Sequence, residues 1–232
     1  MFMASGKTPV RKDTELFLRY GGHANRTLFV EYGFVNMWNE TECYEGRFNG
    51  EADIQNIMED LFASKGGAGG VMREILEAEG YWGYSYLPCT YNNSRLIYFV
   101  CSFCPHDSDW TMHSRPTPAH PSYRLVSALR LLHADVEHDF EEACGLWRSV
   151  LMGQAEMISN ENERAWRETL LEICEKIALQ AKTAIASAAD HVASEFAESW
   201  LGWVEKNIEM LWREELEVAE AVAQSVRTGV DF

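Results

Sequence analysis

The sequence predicts an α+β chain that is predominantly α, on three observations. From Pro121 onward, apolar residues recur at helical spacing behind capping residues. Near the start, Leu16, Leu18 and Tyr20 alternate with Phe17 and Arg19, the two-residue period of a strand. Hydrophobic residues make up 47% of the 232 and charged residues 24%, a balance that supports a packed core and argues against disorder throughout.

In residues 1–40 the short strand ends at Gly21-Gly22. Asn25 reads as the cap of a short helix carrying Leu28, Phe29 and Tyr32, and Gly33 can end that helix in a left-handed turn. Next, Asp53 reads as an N-cap before Ile54, Ile57, Met58 and Leu61, which fall at helical spacing. Gly66-Gly67-Ala68-Gly69-Gly70 reads as a flexible loop, and a short helix over Val71–Glu79 stops at Gly80. Residues 84–108 are rich in Tyr, Cys, Ser and Asn and show no clear period.

The remainder is helical. Pro121 suits a first turn, with Leu125, Ala128, Leu129 and Leu132 as the apolar stripe. Asp139 and Glu142 resemble a capping box opening a second helix, lined by Phe140, Ala143, Trp147, Val150 and Leu151 and closed by Gly153. Asn160 with Glu163 opens a third, whose stripe is Leu170, Leu171, Cys174, Ile177, Ala178 and Ala181. A fourth carries Phe196, Trp200, Trp203, Val204, Leu211 and Val218 on one face. Its tryptophans, Trp212 included, read as core, and Glu214, Glu215, Glu217 and Glu220 as a solvated face. No internal repeat is evident.

The formal charge is −16 at pH 7. Such a surface repels phosphate backbones, which disfavours direct nucleic-acid binding, and attracts basic partners such as Lys-rich protein tails. The most apolar run, Leu96–Cys104, is far short of the roughly 20 residues a membrane helix needs. The opening MFMASGKTPVRK has no apolar signal region. Six cysteines in that context suggest reduced thiols and an intracellular location, cytoplasm or nucleus, with no basic cluster to mark a nuclear signal. Oligomeric state leaves no trace in the sequence.

The most informative segment is Glu15–Phe34, ELFLRYGGHANRTLFVEYGF. It resembles the end of the SET domain in the group containing Rubisco large-subunit methyltransferase, ribosomal-protein lysine methyltransferases and the actin-histidine methyltransferase. The pattern there is a strand ending in Tyr-Gly, then Ser-Asn, a short helix and Tyr-Gly-Phe. Here Tyr20-Gly21, Asn25 and Tyr32-Gly33-Phe34 fall at those spacings, with Ala24 in place of the usual Ser and Asp13 where a turn Gly is common. Pro116–Leu132, Trp147 with Val150-Leu151, and Ile158–Glu163 resemble recurrent segments of the group's helical C-terminal domain, which helps dock the protein substrate.

The resemblance implies a small C-terminal remnant of a SET domain over 1–40, followed by a helical substrate-binding domain over 41–232. It implies methyl transfer from S-adenosylmethionine to protein side chains, most often lysine, and a basic or Lys-containing protein substrate. Tyr20 matches the family's catalytic tyrosine. The methyl donor is already activated, so the enzyme must align the acceptor amine and keep it neutral. A tyrosine hydroxyl can orient that amine while a desolvated channel lowers its pKa. Phe34 matches the ring that packs on the adenine of the donor, and Tyr32 lines the same pocket.

The family's upstream glycine-containing strand and Asn-His segment have no counterpart in this chain. The expectation is therefore a truncated protein, inactive alone and without useful affinity for S-adenosylmethionine. The alternative is a non-catalytic helical protein-binding module. Joining Gly83 to Asp109 restores the family's run of Gly-Tyr-Trp-Gly into Asp-Trp-Thr-Met-His-Ser, so 84–108 reads as an insertion, consistent with an intron translated in frame. Cys101 and Cys104, with His106, His113 and His120 nearby, suggest zinc at first sight. With no second C-x-x-C and no tight His pair, no metal is expected.

Overall fold

A computed structural model describes residues 24–35, 50–82, 110–113, 118–135, 140–191 and 200–232. The expected strand at Leu16–Tyr20, Asp139, the 84–108 segment with Cys101 and Cys104, and Phe196 all lie outside these residues. Helix α1 is Asn25–Tyr32, strand β1 Glu51–Asp53, α2 Gln55–Ser64 and α3 Gly66–Ala78. Strands β2 Thr111–His113 and β3 His120–Pro121 follow, then α4 Tyr123–Leu132, α5 Phe140–Leu151, α6 Asn160–His191 and α7 Leu201–Arg227. The chain is predominantly α, as expected, with one small sheet.

That sheet is antiparallel, in the order β1-β2-β3, and pairs Ala52 with Met112 and Met112 with Pro121. The pleat turns Ala52 and Met112 into the core while Glu51 and Asp53 stay partly exposed. Helix α7 lies against β1 and β2, and α6 lies along α7. The pairs Lys182–Glu220, Arg227–Glu175 and Arg167–Asp231 show that these two long helices run antiparallel. Trp110, Trp147 and Trp166 are fully buried in one continuous core that also takes the stripes of α4 and α6.

Several local expectations are met. Gly33 has φ 78°, and its N–H closes on the Phe29 carbonyl at 2.9 Å. Asp53, by contrast, is not the N-cap of α2: it ends β1, Ile54 holds the cap position, and the Asp53 carboxylate accepts the Gln55 N–H at 2.9 Å from one residue further out. Leu125, Ala128, Leu129 and Leu132 of α4 are all buried. Gly153, at φ 68°, follows the end of α5.

Others are corrected. The glycine run 66–70 is helical, not a loop: Gly66, at φ 59°, turns the chain, and α3 starts at once. Glycine serves close approach there, because a Cβ on Gly69 would lie 1.9 Å from the Phe62 carbonyl oxygen. Pro121 belongs to β3, and Ser122 is the cap of α4, its Oγ accepting from Leu125 N. At α6 the side chain that caps is Ser159, accepting the Asn162 N–H at 3.1 Å, while Glu163 is engaged elsewhere. Asn25 does not cap α1; Ala24 occupies that position, and the Asn25 amide reaches across to α7.

Candidate functional site

The left-handed turn at Gly33 ends α1 and places Phe34 and Val35 against α7. A Cβ at Gly33 would lie 3.9 Å from Cη2 of Trp203. The Val35 N–H donates to Asn207 Oδ1 at 3.3 Å, and the Asn207 amide donates to the Trp203 carbonyl at 2.7 Å. Tyr32 and Phe34 come together, with ring centroids 6.4 Å apart at a 39° tilt. Tyr32 is exposed and Phe34 partly so. This aromatic pair offers a face on which a purine ring can lie. Tyr20, the third expected site residue, lies outside the described residues, so its distance to the pair is not part of this geometry.

At the other end of α1, a cleft of about 220 Å³ opens between α1, β1 and α7. Its walls include Arg26, Asp53, Leu211, Trp212, Glu214 and Glu215. Glu214 ties three elements together: one oxygen accepts from the Asn25 amide at 2.9 Å, and the other accepts the Gly50 N–H. Burial pushes its carboxyl above the usual range, and these hydrogen bonds partly oppose the rise. Glu215 is also raised by burial, with Arg26 opposing and Asp53 and Glu214 adding to the rise. Arg26 pairs with Asp53 at 2.7 Å. Glu214 and Glu215 are therefore not a solvated face.

The tryptophans are likewise not core. Trp200 and Trp203 are 58% and 50% exposed, and Ile208 is 38% exposed. Both tryptophans stand at the start of α7, and Trp203 reaches the turn at Gly33. Among the described residues, no group of three His, Cys, Asp or Glu is placed to hold a metal ion, and no helix is long and apolar enough to cross a membrane. Cys174 sits in the core, its thiol pushed up to about 12 by burial, so it is inert at neutral pH.

Sequence reasoning missed Arg26, Asn207 and Glu214. Asn207 and Glu214 stand on α7 with no motif around them, Arg26 stands inside the Glu15–Phe34 segment at a position to which the motif gives no role, and the partner of each is remote in sequence. A signal was available only for Asn207, which breaks the apolar stripe of α7 between Trp203 and Leu211 and is buried.

Residues 92–229, more than half of the chain, match the family described as Rubisco LSMT substrate-binding. The chain belongs to that family. This Rubisco LSMT substrate-binding chain is also 28% identical over 221 residues to SET domain-containing protein 4 of Homo sapiens. That alignment takes in 94% of the chain and 39% of the human protein, so the chain spans well under half of its relative. Together the two matches mark a SET-domain methyltransferase-like protein. No solved structure gives a significant match.

Proposed function

We propose that this chain is the protein-docking portion of a SET-type methyltransferase that uses S-adenosylmethionine, with lysine as its usual acceptor. The observation that carries the reading is the substrate-binding family match over the helical part. Its support at the other end is the Tyr32-Gly33-Phe34 turn, seated on α7 through Val35 and Asn207. In this reading residues 1–40 are the end of a SET domain, and Phe34 and Tyr32 hold one face of the adenine.

The bound donor supplies a sulfonium-activated methyl group. The chain's own part is to bring the acceptor to it. With a donor bound, Tyr20 would orient the acceptor amine so that its lone pair faces the methyl group. Apolar walls keep the amine neutral, because desolvation disfavours its charged form.

The test is calorimetric titration of S-adenosylmethionine into this chain, run beside methyl-label transfer to a basic protein. We expect no micromolar donor binding and no transfer by this chain alone, while the basic protein still associates. Micromolar donor binding with turnover that Tyr20→Phe abolishes would replace docking by self-sufficient catalysis. Failure to associate with any basic protein would sink the docking reading. A non-catalytic binding module is the second reading, favoured by the match falling on the substrate-binding domain. It predicts association that adding a separately expressed SET domain never converts into transfer.

A further inference from the structure

Helix α1 carries the Tyr32-Gly33-Phe34 turn, yet little apolar packing fixes it. Its buried residues are Asn25 and Leu28, and a helix of eight residues is marginal by itself. One buried leucine favours contact with a neighbouring helix, but the hydrophobic effect is non-directional and does not choose a register along it. Directional ties from α7 do. We propose that Asn207 is a positioning residue for the aromatic pair: by holding the backbone directly after Phe34, it lets the substrate-binding part of the chain set where Phe34 and Tyr32 stand. The assignment deepens the proposed function, and rests on it only for calling the ligand of the pair an adenine.

The first observation is the amide itself. Asn207 is 7% exposed. Its Oδ1 accepts the Val35 N–H at 3.3 Å, and its Nδ2 donates to the Trp203 carbonyl at 2.7 Å. The second bond fixes which way the amide points, so the oxygen is the atom that faces Val35. A buried amide inside a helix works against helix propensity and costs desolvation unless it is bonded. Leucine would continue the apolar stripe between Trp203 and Leu211. What the amide supplies there, and leucine cannot, is an acceptor for a backbone N–H outside the helix.

The second observation is the spacing. Near the start of α1, Glu214 accepts from the Asn25 amide at 2.9 Å. Seven positions separate residues 207 and 214, about 10.5 Å along α7. The eight residues of α1 span about 12 Å. The two ties therefore hold opposite ends of α1 against α7, and the two helices run antiparallel.

The third observation is where α7 is rooted. Its later residues Val218, Ala219, Val222, Ala223 and Val226 are buried in the core, and the helix lies against β1, β2 and α6. Helix α7 falls within the matched residues 92–229, whereas α1 falls outside them. One continuous helix thus carries a fixed position from the core of the substrate-binding part to the turn. Trp203, one turn before Asn207, adds to the seat: a Cβ at Gly33 would make ordinary van der Waals contact with its Cη2, at 3.9 Å.

The experiment is NMR on the full chain, with Asn207→Leu, Asn207→Ala and, as a control, Lys206→Leu at the exposed neighbouring position. Amide exchange at Val35 should speed up about fivefold in both Asn207 variants, the net effect of one ordinary hydrogen bond. The ring-current shift that Trp203 imposes on the Gly33 Hα should shrink with it. Lys206→Leu should change neither. Adenosine titrated into the wild-type chain should bind weakly and move the Tyr32 and Phe34 ring signals, and half-saturation should need about fivefold more adenosine in the Asn207 variants. Unchanged Val35 exchange, or equal loosening in Lys206→Leu, overturns the assignment. Protection lost throughout α6 and α7 in both Asn207 variants makes the residue a support of the whole fold and overturns it too. So does adenosine binding that is present and equal in wild type and in variants whose turn has loosened. Wild-type rings that ignore adenosine, while the Asn207 variants free the turn, sink the adenine reading and leave the positioning role standing.

Discussion

Arg130 Nε lies 2.6 Å from Glu163 Oε1, with the two side chains only 10% and 15% exposed. The other Glu163 oxygen accepts the Trp166 indole N–H at 2.8 Å, and the Arg130 carbonyl accepts from Asn162. One ion pair thus joins α4 to the start of α6.

Truncating one partner of such a pair leaves the other charge buried and uncompensated, a loss of about 3–5 kcal/mol. Glu163→Ala should fall in that range by urea denaturation. Glu163→Gln should cost less, because it can still accept from Trp166. A loss below about 1 kcal/mol for the alanine variant would mean the pair is solvated and contributes no more than a surface bridge.

His133 predicts the acid limb of stability. Burial, and next Lys65, push its pKa below 6.5, and its Nε2 sits 2.8 Å from Thr169 Oγ1. The folded state therefore binds its proton less readily than the unfolded chain. This contribution is fully present above about pH 6.5 and is lost as pH falls from there through the lower folded pKa. His133→Gln should flatten the stability profile over that window. An NMR titration placing the ring at or above 6.5 would contradict it.

Much of the fold was legible, for a reason that also marks the limit. Leu125–Leu132, and Leu170, Cys174, Ile177 and Ala181, are buried because a helix packed on its neighbours must hide its stripe, and period alone reveals the stripe. Gly33 was legible because only a left-handed residue ends α1 that way. Trp200 and Trp203 misled, since an apolar stripe does not say whether anything covers it. Glu214 misled for the opposite reason: nothing local shows that Asn25 and Gly50 will meet it. At the candidate site, the aromatic pair was readable from a motif, and the polar ties that seat it were not.

Glu214 should therefore be worth more than a surface acid. Glu214→Ala strips the acceptor from the Gly50 N–H and the Asn25 amide, at about 1–3 kcal/mol. Hydrogen exchange should speed up first over residues 24–35 and 50–53. Because burial raises its folded pKa above 4.5, its linkage runs opposite to that of His133. The folded state holds this proton more tightly, so the contribution is full below pH 4.5 and declines as pH rises through the folded value. A wild-type profile indifferent to Glu214→Gln in that range would contradict the assignment.

Trp82 and Trp110 stand edge to face with centroids 4.8 Å apart, and Phe62 stacks on Trp110 at 5.9 Å. The points where the chain leaves toward 84–108 and returns from it are thus close together. Replacing those residues by a short Gly-Ser link should change stability by no more than about 1.5 kcal/mol, since loop closure depends only weakly on length. Trp110→Ala should cost about 3–5 kcal/mol. A deletion as damaging as the tryptophan variant would show that 84–108 is part of the packed structure and not an insertion.

The glycine run gives the sharpest contrast. At Gly69 an added Cβ would sit 1.9 Å from the Phe62 backbone oxygen, so α3 must move away from α2 to admit it. At Gly67, the second residue of α3, nothing lies within 4 Å of an added Cβ and φ is not positive. Alanine favours a helix over glycine by about 1 kcal/mol. Gly67→Ala should therefore raise the melting temperature, and Gly69→Ala should lower it by separating Phe62 and Met72 from the core they share. Only helix packing predicts opposite signs for the same substitution two residues apart. A flexible loop over 66–70 would give small and equal effects at both.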